Sequence, residues 1–273
     1  MSEPVDGPVD GPVNQTAAVH SPAYTYRYIY FNVRGAGELC RLVLSASGFE
    51  WSDVRYPMRV SGHGFASGSE FRRHVESGAF CGNMNKLPVL QVVDPLNPNV
   101  AKATIGQSHS IIRYIARQHE SLAGRNALEE AKVDAIYECC RDIKSEWYRV
   151  KRMEGGKQAW FDSQKAAELK IISLAQHCEL LEKAIATHHG SQQASPWCMG
   201  GPDPTYADLA IYHLLGTPLS PLSGATASFF DGEKERVERT YASGMPRIRA
   251  TIESCSNLEL IRRWELERPD TFT

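Results

Sequence analysis

The strand signal in this chain stops part-way along. Up to about residue 121, strand-like and helix-like stretches alternate; beyond Arg125, apolar residues recur only at three- and four-residue steps. Val133, Ile136, Cys140, Ile143 and Trp147 mark one face of a helix. Ala167, Ile171, Leu174, Cys178, Leu181 and Ile185 mark the face of the next. This is the spacing of helices that bury one stripe. Pro204-Thr205-Tyr206-Ala207-Asp208 opens a further helix, with Thr205 as N-cap and Asp208 placed to reach back to the unbonded N–H groups. Such a chain has to build two dissimilar units, an α/β one and then an all-helical one.

The first unit reads as β-α-β followed by β-β-α. Tyr26 to Phe31 is aromatic at period two. Glu38 to Ser47 sets Leu39, Leu42, Val43 and Ala46 on one helical face, and Gly48 stops it. A strand at Trp51 to Tyr56 precedes a glycine- and serine-rich loop, SGHGFASGS. Leu87 to Val93 reads as a buried strand, turning through DPLNPN to a partner near Ala103 to Ile105. Ser108 then caps the helix SIIRYIARQHE. This order predicts a thioredoxin-like domain over residues 24–121 and an all-α domain over 126–268. Residues 1–23 carry the repeat PVDGPVDGPV, too poor in apolar groups to offset ordering, and are expected to be a disordered tail.

Charge and cysteines narrow the function. A net charge of -2 and a pI near 6.5 argue against nucleic-acid or anionic-membrane partners. No apolar run is long enough to span a bilayer. The N-terminus lacks the basic start and apolar core of a secretory signal, and the seven scattered cysteines include no C-x-x-C pair, so a cytoplasmic chain with reduced thiols is expected. His188-His189, in an expected loop, and the group His63, His74 and Cys81 lack ligand spacing, so no metal site is expected.

Tyrosines occupy every second position from Tyr24 to Tyr30. Ligands of open α/β sheets gather at the carboxyl ends of strands, and of the four only Tyr30 lies there, immediately before the Asn32 to Gly37 turn. Tyr24, Tyr26 and Tyr28 read as tail, strand edge and packing. Locally, Leu87-Pro88 is compatible with a trans proline starting a strand or with a cis proline holding backbone groups outward for a ligand. Gln107-Ser108 stands at a helix start, where N–H groups and the helix dipole favour a carboxylate; Ser108 can serve as N-cap at the same time.

These stretches have a counterpart. YIYFNVRGAGELCR, then KLPVL, then QS with SIIRYIA, then TYAD, stand in the order found in the cytosolic glutathione transferases. LAGRNALEEAKVDAI resembles the sigma class in particular. The resemblance covers about residues 26–268. It implies glutathione as co-substrate, a small hydrophobic electrophile as acceptor and a homodimer. It implies Tyr30 as the catalytic residue, a neutral phenol whose hydroxyl stabilises the thiolate. It implies Lys86, Leu87 and a cis Pro88 along the glutathione backbone, and Gln107 and Ser108 at its γ-glutamyl carboxylate. Phe71, with Arg72, Arg73 or His74, stands for the glycyl-carboxylate site, and Asp142 for a residue that crosses to the partner's glutathione amine.

Departures leave other readings open. Cys40 is a rival nucleophile, as some relatives use a cysteine near the first helix, although here it lies inside the helix. An arginine near the sulfur is replaced by Ala36, unless Arg34 or Arg41 substitutes. A metal-binding acid is replaced by Arg141, and an aromatic lining the acceptor pocket by Arg149, which makes the expected pocket polar; Lys144, Trp147 and Tyr148 are expected to shape it. The alternatives are a glutathione-dependent isomerase or peroxidase in the same site, and a binding protein like the lens S-crystallins.

Overall fold

The computed structural model describes residues 24–61, 64–189, 195–216, 230, 233–242, 244–269 and 271. The repeat-bearing tail, and the 216–230 segment except at its two ends, lie outside the described residues.

The sheet has four strands in the order β2-β1-β5-β6: β1 (Thr25–Phe31), β2 (Trp51–Tyr56), β5 (Val89–Asp94) and β6 (Asn97–Gly106). β1 runs parallel to β2 and antiparallel to β5, and β5 antiparallel to β6. Strand β1 is therefore interior, and Tyr26 is a core residue, not the edge residue expected. The period-two pattern sorts the two faces. Tyr26, Tyr28 and Tyr30 pack with Leu42 and Val43 of α1 (Glu38–Ala46) and Ile111, Ile112 and Ile115 of α3 (Ser108–Gln118). Ile29 points the other way, into a small aromatic core of Tyr56, Phe80 and Val89 backed by Phe71 and Val75 of α2 (Ser69–Glu76).

The stretch SGHGFASGS, expected to be a loop, instead ends one strand and forms another: β3 (Met58–Ser61) pairs antiparallel with β4 (Gly64–Ser67). Backbone pairing needs no apolar alternation when the hairpin stands clear of the main sheet, and that is why the side-chain pattern was silent.

The second unit is helical: α4 (Ala127–Val150), α5 (Gly156–Trp160), α6 (Ser163–Glu168), α7 (Leu174–His189), α8 (Tyr206–Ile211) continuing as a wider π turn to Gly216, α9 (Lys234–Ala242), α10 (Pro246–Asn257) and α11 (Glu259–Glu267). All five apolar positions read for α4 are buried. The next run is not one helix. It breaks over 169–173, where Lys170 takes a φ of 55°, and resumes at Leu174. Ile171, Leu174, Cys178, Leu181 and Ile185 are buried, but Ala167 is exposed and Ala166 is buried in its place. His188 and His189 close α7 and are not in a loop. Thr205 N and Oγ1 both donate to Asp208 Oδ2, each at 2.7 Å, and Asp208 Oδ1 also accepts Cys198 N.

The two units meet around Glu38 at the start of α1. It is 1 % exposed and accepts from Arg268 Nη1 at 2.6 Å and Trp264 Nε1 at 3.1 Å, both near the chain's end. Burial opposes its ionisation, but the Arg268 and Arg41 guanidiniums win and hold its carboxyl below the usual range. Among the described residues, no helix is long and apolar enough to cross a membrane.

Candidate active site

Tyr30 ends the buried run of β1, and the chain turns directly over its ring. Arg41, wholly buried, supports the turn from beneath: it donates to the carbonyls of Phe31 and Val33, pairs with Asp53 at 3.1 Å, and lies 5.5 Å from the Tyr30 ring centre. It is thus committed under the ring and does not line the cleft. Arg34 is buried too. Over the ring runs the Gly35–Gly37 turn, and the N–H of Ala36 donates to Tyr30 Oη at 3.3 Å. Among the described residues the phenol's own proton has no acceptor. Tyr30 is 8 % exposed, and burial raises its pKa more than the Ala36 N–H and Arg41 lower it. The group is a neutral hydroxyl with a proton to donate. Tyr28 differs: its hydroxyl donates to Gly37 O.

Cys40 is buried in α1, its Sγ donating to Ser108 O at 3.4 Å, and burial pushes its thiol up to about 12. A thiol so placed is not a nucleophile at neutral pH.

The segment from Lys86 to Pro88 precedes β5, and the Leu87–Pro88 bond is cis. Lys86 is exposed and Leu87 half-buried. Among the described residues, neither the N–H nor the C=O of Leu87 has a hydrogen-bond partner. β6 ends at Gly106 beside Val89, and Gln107 turns the chain with φ 68°, a sparsely allowed conformation for a residue with a side chain. Gln107 occupies the cap position of α3, so Ser108 is the first helical residue and not the N-cap expected of it. The first helix bond closes from Ile111 N to Gln107 O. The N–H groups of Ser108, His109 and Ser110 precede it and point out of the helix end.

One residue here went unread in the sequence. Asn83, buried at the end of a 3-10 turn, hydrogen-bonds the Lys86, Pro88 and Gln107 segments together. It lies in a stretch, CGNMN, with no periodicity or motif to mark it.

Ala36 and Ser108 line the same cleft, of about 200 Å³, between the two units. Its far wall is helical: Arg141, Lys144 and Tyr148 from α4, and His213 and Leu214 beyond α8. Three larger recesses among the described residues lie elsewhere and do not join the Ala36 turn to the start of α3. Burial lowers Lys144 to about 8 and, with nearby positive charges, His109 to about 4 and His213 to about 3. The polarity of this wall comes from Arg141, Lys144 and His213, while His109 lines the cleft from α3. Arg149 is exposed, paired with Glu146, and absent from the lining; Trp147 is 1 % exposed in the core and cannot shape it either.

Two other positions sit away from the cleft. Phe71 stacks on Phe80 and meets Phe31 edge-on at 4.9 Å, so its ring serves the small aromatic core; Arg72 and Arg73 beside it are exposed, and His74 Nδ1 bonds Tyr56 Oη. Asp142 is exposed on α4, and its neighbour Arg141 is paired with Glu138.

No protein-family profile matches the chain. Among curated proteins it is similar to a glutathione S-transferase of Ascaris suum, 28% identical over 246 residues that span 90% of this chain and 98% of that protein. It is also similar to S-crystallin 2 of Octopus vulgaris, 27% identical over 215 residues, 76% of this chain and 86% of that one. Among solved structures it matches a monomeric glutathione S-transferase of the hookworm Necator americanus with TM-score 0.61 and 21% identity, over 90% and 98% of the two chains. That last likeness concerns the fold: a thioredoxin-like α/β unit with a helical one.

Proposed function

Because the chain belongs to the glutathione transferase family, we propose that it binds glutathione along the Leu87 and Gln107 loops and activates the thiol with Tyr30 for attack on a small electrophile. The observation that carries this reading is the shared cleft: the residue touching the Tyr30 hydroxyl, Ala36, and the residue opening α3, Ser108, line one recess.

In this reading the γ-glutamyl carboxylate sits on the outward N–H groups of Ser108 to Ser110 with Gln107 beside it, a charge-assisted seat at a helix start. The cysteinyl backbone pairs, strand-like, with the N–H and C=O of Leu87, and exposed Lys86 lies alongside. The glycyl carboxylate is assigned to Arg72 or Arg73 next to Phe71. Asp142 reaches the amine of a tripeptide bound by a partner subunit, so the assembly is a homodimer. The seven unpaired thiols suit a reducing compartment such as the cytoplasm.

The chemistry then follows from the phenol. A free thiol is only a few per cent thiolate at neutral pH. One O–H···S⁻ bond that lowers its pKa by about two units supplies about 2.7 kcal/mol. The thiol proton leaves to solvent, the sulfur lone pair forms the C–S bond, and the acceptor either expels a leaving group with its electron pair or takes up a proton. The acceptor lies against Leu39, Ile112, Tyr148 and Leu214.

One observation favours a second reading, a binding protein with little turnover. Where the resemblance calls for an arginine beside the sulfur, the chain has Ala36, and Arg41 is spent beneath the ring. Retention on immobilised glutathione, with turnover of chlorodinitrobenzene, separates the two. The transferase reading expects Tyr30→Phe to stay on the column and lose about 25-fold in kcat/KM at pH 7, as the bound thiol falls from mostly thiolate to a few per cent. Retention without turnover in either protein leaves the binding reading; a Tyr30→Phe enzyme as active as wild type removes Tyr30 from the chemistry.

A further inference from the structure

The two loops assigned to the tripeptide come from separate segments, and one carboxamide joins them. Asn83 Nδ2 donates to Lys86 O at 2.7 Å and to Pro88 O at 3.0 Å, while Oδ1 accepts Gln107 Nε2 at 3.1 Å across 24 residues of sequence. The orientation of the amide follows from its partners, since two carbonyl oxygens can be met only by N–H groups. The main chain of Asn83 closes the same ring, donating to Phe80 O and accepting from Lys86 N.

We propose that Asn83 is the positioning residue for glutathione, fixing the Leu87 backbone and the Gln107 side chain relative to each other; this rests on reading the cleft as a glutathione site. By binding the carbonyls on both sides of Leu87, the amide holds that residue's own N–H and C=O turned away and open to a peptide. By binding Gln107, it steadies a residue whose φ of 68° its side chain does not favour. Asn83 is 6 % exposed, so it contacts neither the tripeptide nor the reacting atoms. Gly106 completes the device: a Cβ there would come within 3.0 Å of Asn83 Oδ1, Cγ and Cβ, so only glycine lets the amide reach Gln107.

Asn83→Asp keeps the size and the acceptor but removes both N–H groups and sets a charge against two carbonyl oxygens. With the loss of two buried hydrogen bonds, KM and Kd for glutathione are expected to rise about tenfold or more, while kcat at saturating glutathione and KM for chlorodinitrobenzene stay within about twofold. Gln107→Ala, alone and combined with Asn83→Asp, adds a coupling readout: if Asn83 acts through Gln107, the double variant loses less than the product of the singles. Should Asn83→Asp not fold, Asn83→Ser, which keeps one donor, carries the same comparison. A glutathione Kd unchanged in the variants, with only a lower melting temperature, overturns the positioning role while leaving the site reading intact. A wild-type protein that neither binds nor turns over glutathione overturns the site reading, and this inference with it.

Discussion

The two walls of the cleft are made of different material. The α/β wall presents main chain at the turn over Tyr30 and at the start of α3, which Asn83 ties to the Leu87 loop. The helical wall presents side chains, Lys144, Tyr148 and His213, on helices whose course is set by packing on the opposite face. Main-chain groups stand where strand ends, turns and helix starts put them, and altering them takes a change of backbone. Side chains on a helix can be exchanged one at a time. The first wall is therefore suited to an invariant co-substrate, and the second to whatever acceptor the protein meets.

The sharpest way to break this comparison is a single methyl group on the main-chain wall. A Cβ on Gly37 would fall within 3.0 Å of Tyr30 Cδ1 and Cε1 and of Tyr28 Oη. The φ at Gly37 is -90°, so alanine is not excluded by the backbone, only by the rings beneath it. Gly37→Ala is expected to displace the Tyr30 hydroxyl and to lower kcat about tenfold or more, since a shift on the order of 1 Å can cost that much. If kcat at saturating glutathione stays within about twofold, the turn does not aim the phenol.

The same contrast explains what the sequence disclosed. Tyr30, Leu87, Pro88, Gln107 and Ser108 sit at the ends of elements, and ends are written locally by alternation, prolines and a helix start. Asn83 is not an end of anything periodic; its role appears only when two loops distant in sequence meet. The break at 169–173 was hidden because the four-three spacing from Ile171 onward stays in phase across it, so only Ala167 betrays the change. The helical wall was half legible. Lys144 and Tyr148 line it, but Trp147 turns inward and Arg149 outward, because which face of α4 meets the cleft depends on helices elsewhere in the chain.

Lys144 tests the exchangeable wall. Burial lowers the pKa of its ammonium to about 8, so at pH 7 it is still a cation, one short of water. Lys144→Met is expected to raise kcat/KM for an uncharged acceptor relative to a carboxylate-bearing one by about threefold to fivefold, on the order of 1 kcal/mol. KM for glutathione should not move. A change in glutathione KM equal to that in acceptor preference would show that the two walls are not separable.

The smallest effect concerns stability. His213 stays neutral in the folded protein until about pH 3: burial is the main cause, Lys144, Arg268 and Arg34 add to it, and Glu38 opposes it. His109, bonded through Nδ1 to Tyr137 Oη, behaves alike down to about 4, with Arg141, Arg113 and Lys144 adding to burial and Glu138 opposing. In the unfolded chain both take up a proton near 6.5. A folded pKa below the unfolded one means that the unfolded state binds more protons in the interval. Stability is thus unaffected by these groups above about 6.5 and falls as pH drops through the window toward 4. Between pH 7 and pH 5 the melting temperature should decline by several degrees. His213→Gln, neutral throughout, removes one of these proton-linked losses while those of His109, His119, His177 and His188 remain, so its decline over the same interval should be measurably shallower. Carboxylates such as Glu38 titrate in both proteins and cancel in the difference. Identical declines would mean that water or a counter-charge reaches His213, and that the helical wall is less dry than its lowered histidine and lysine require.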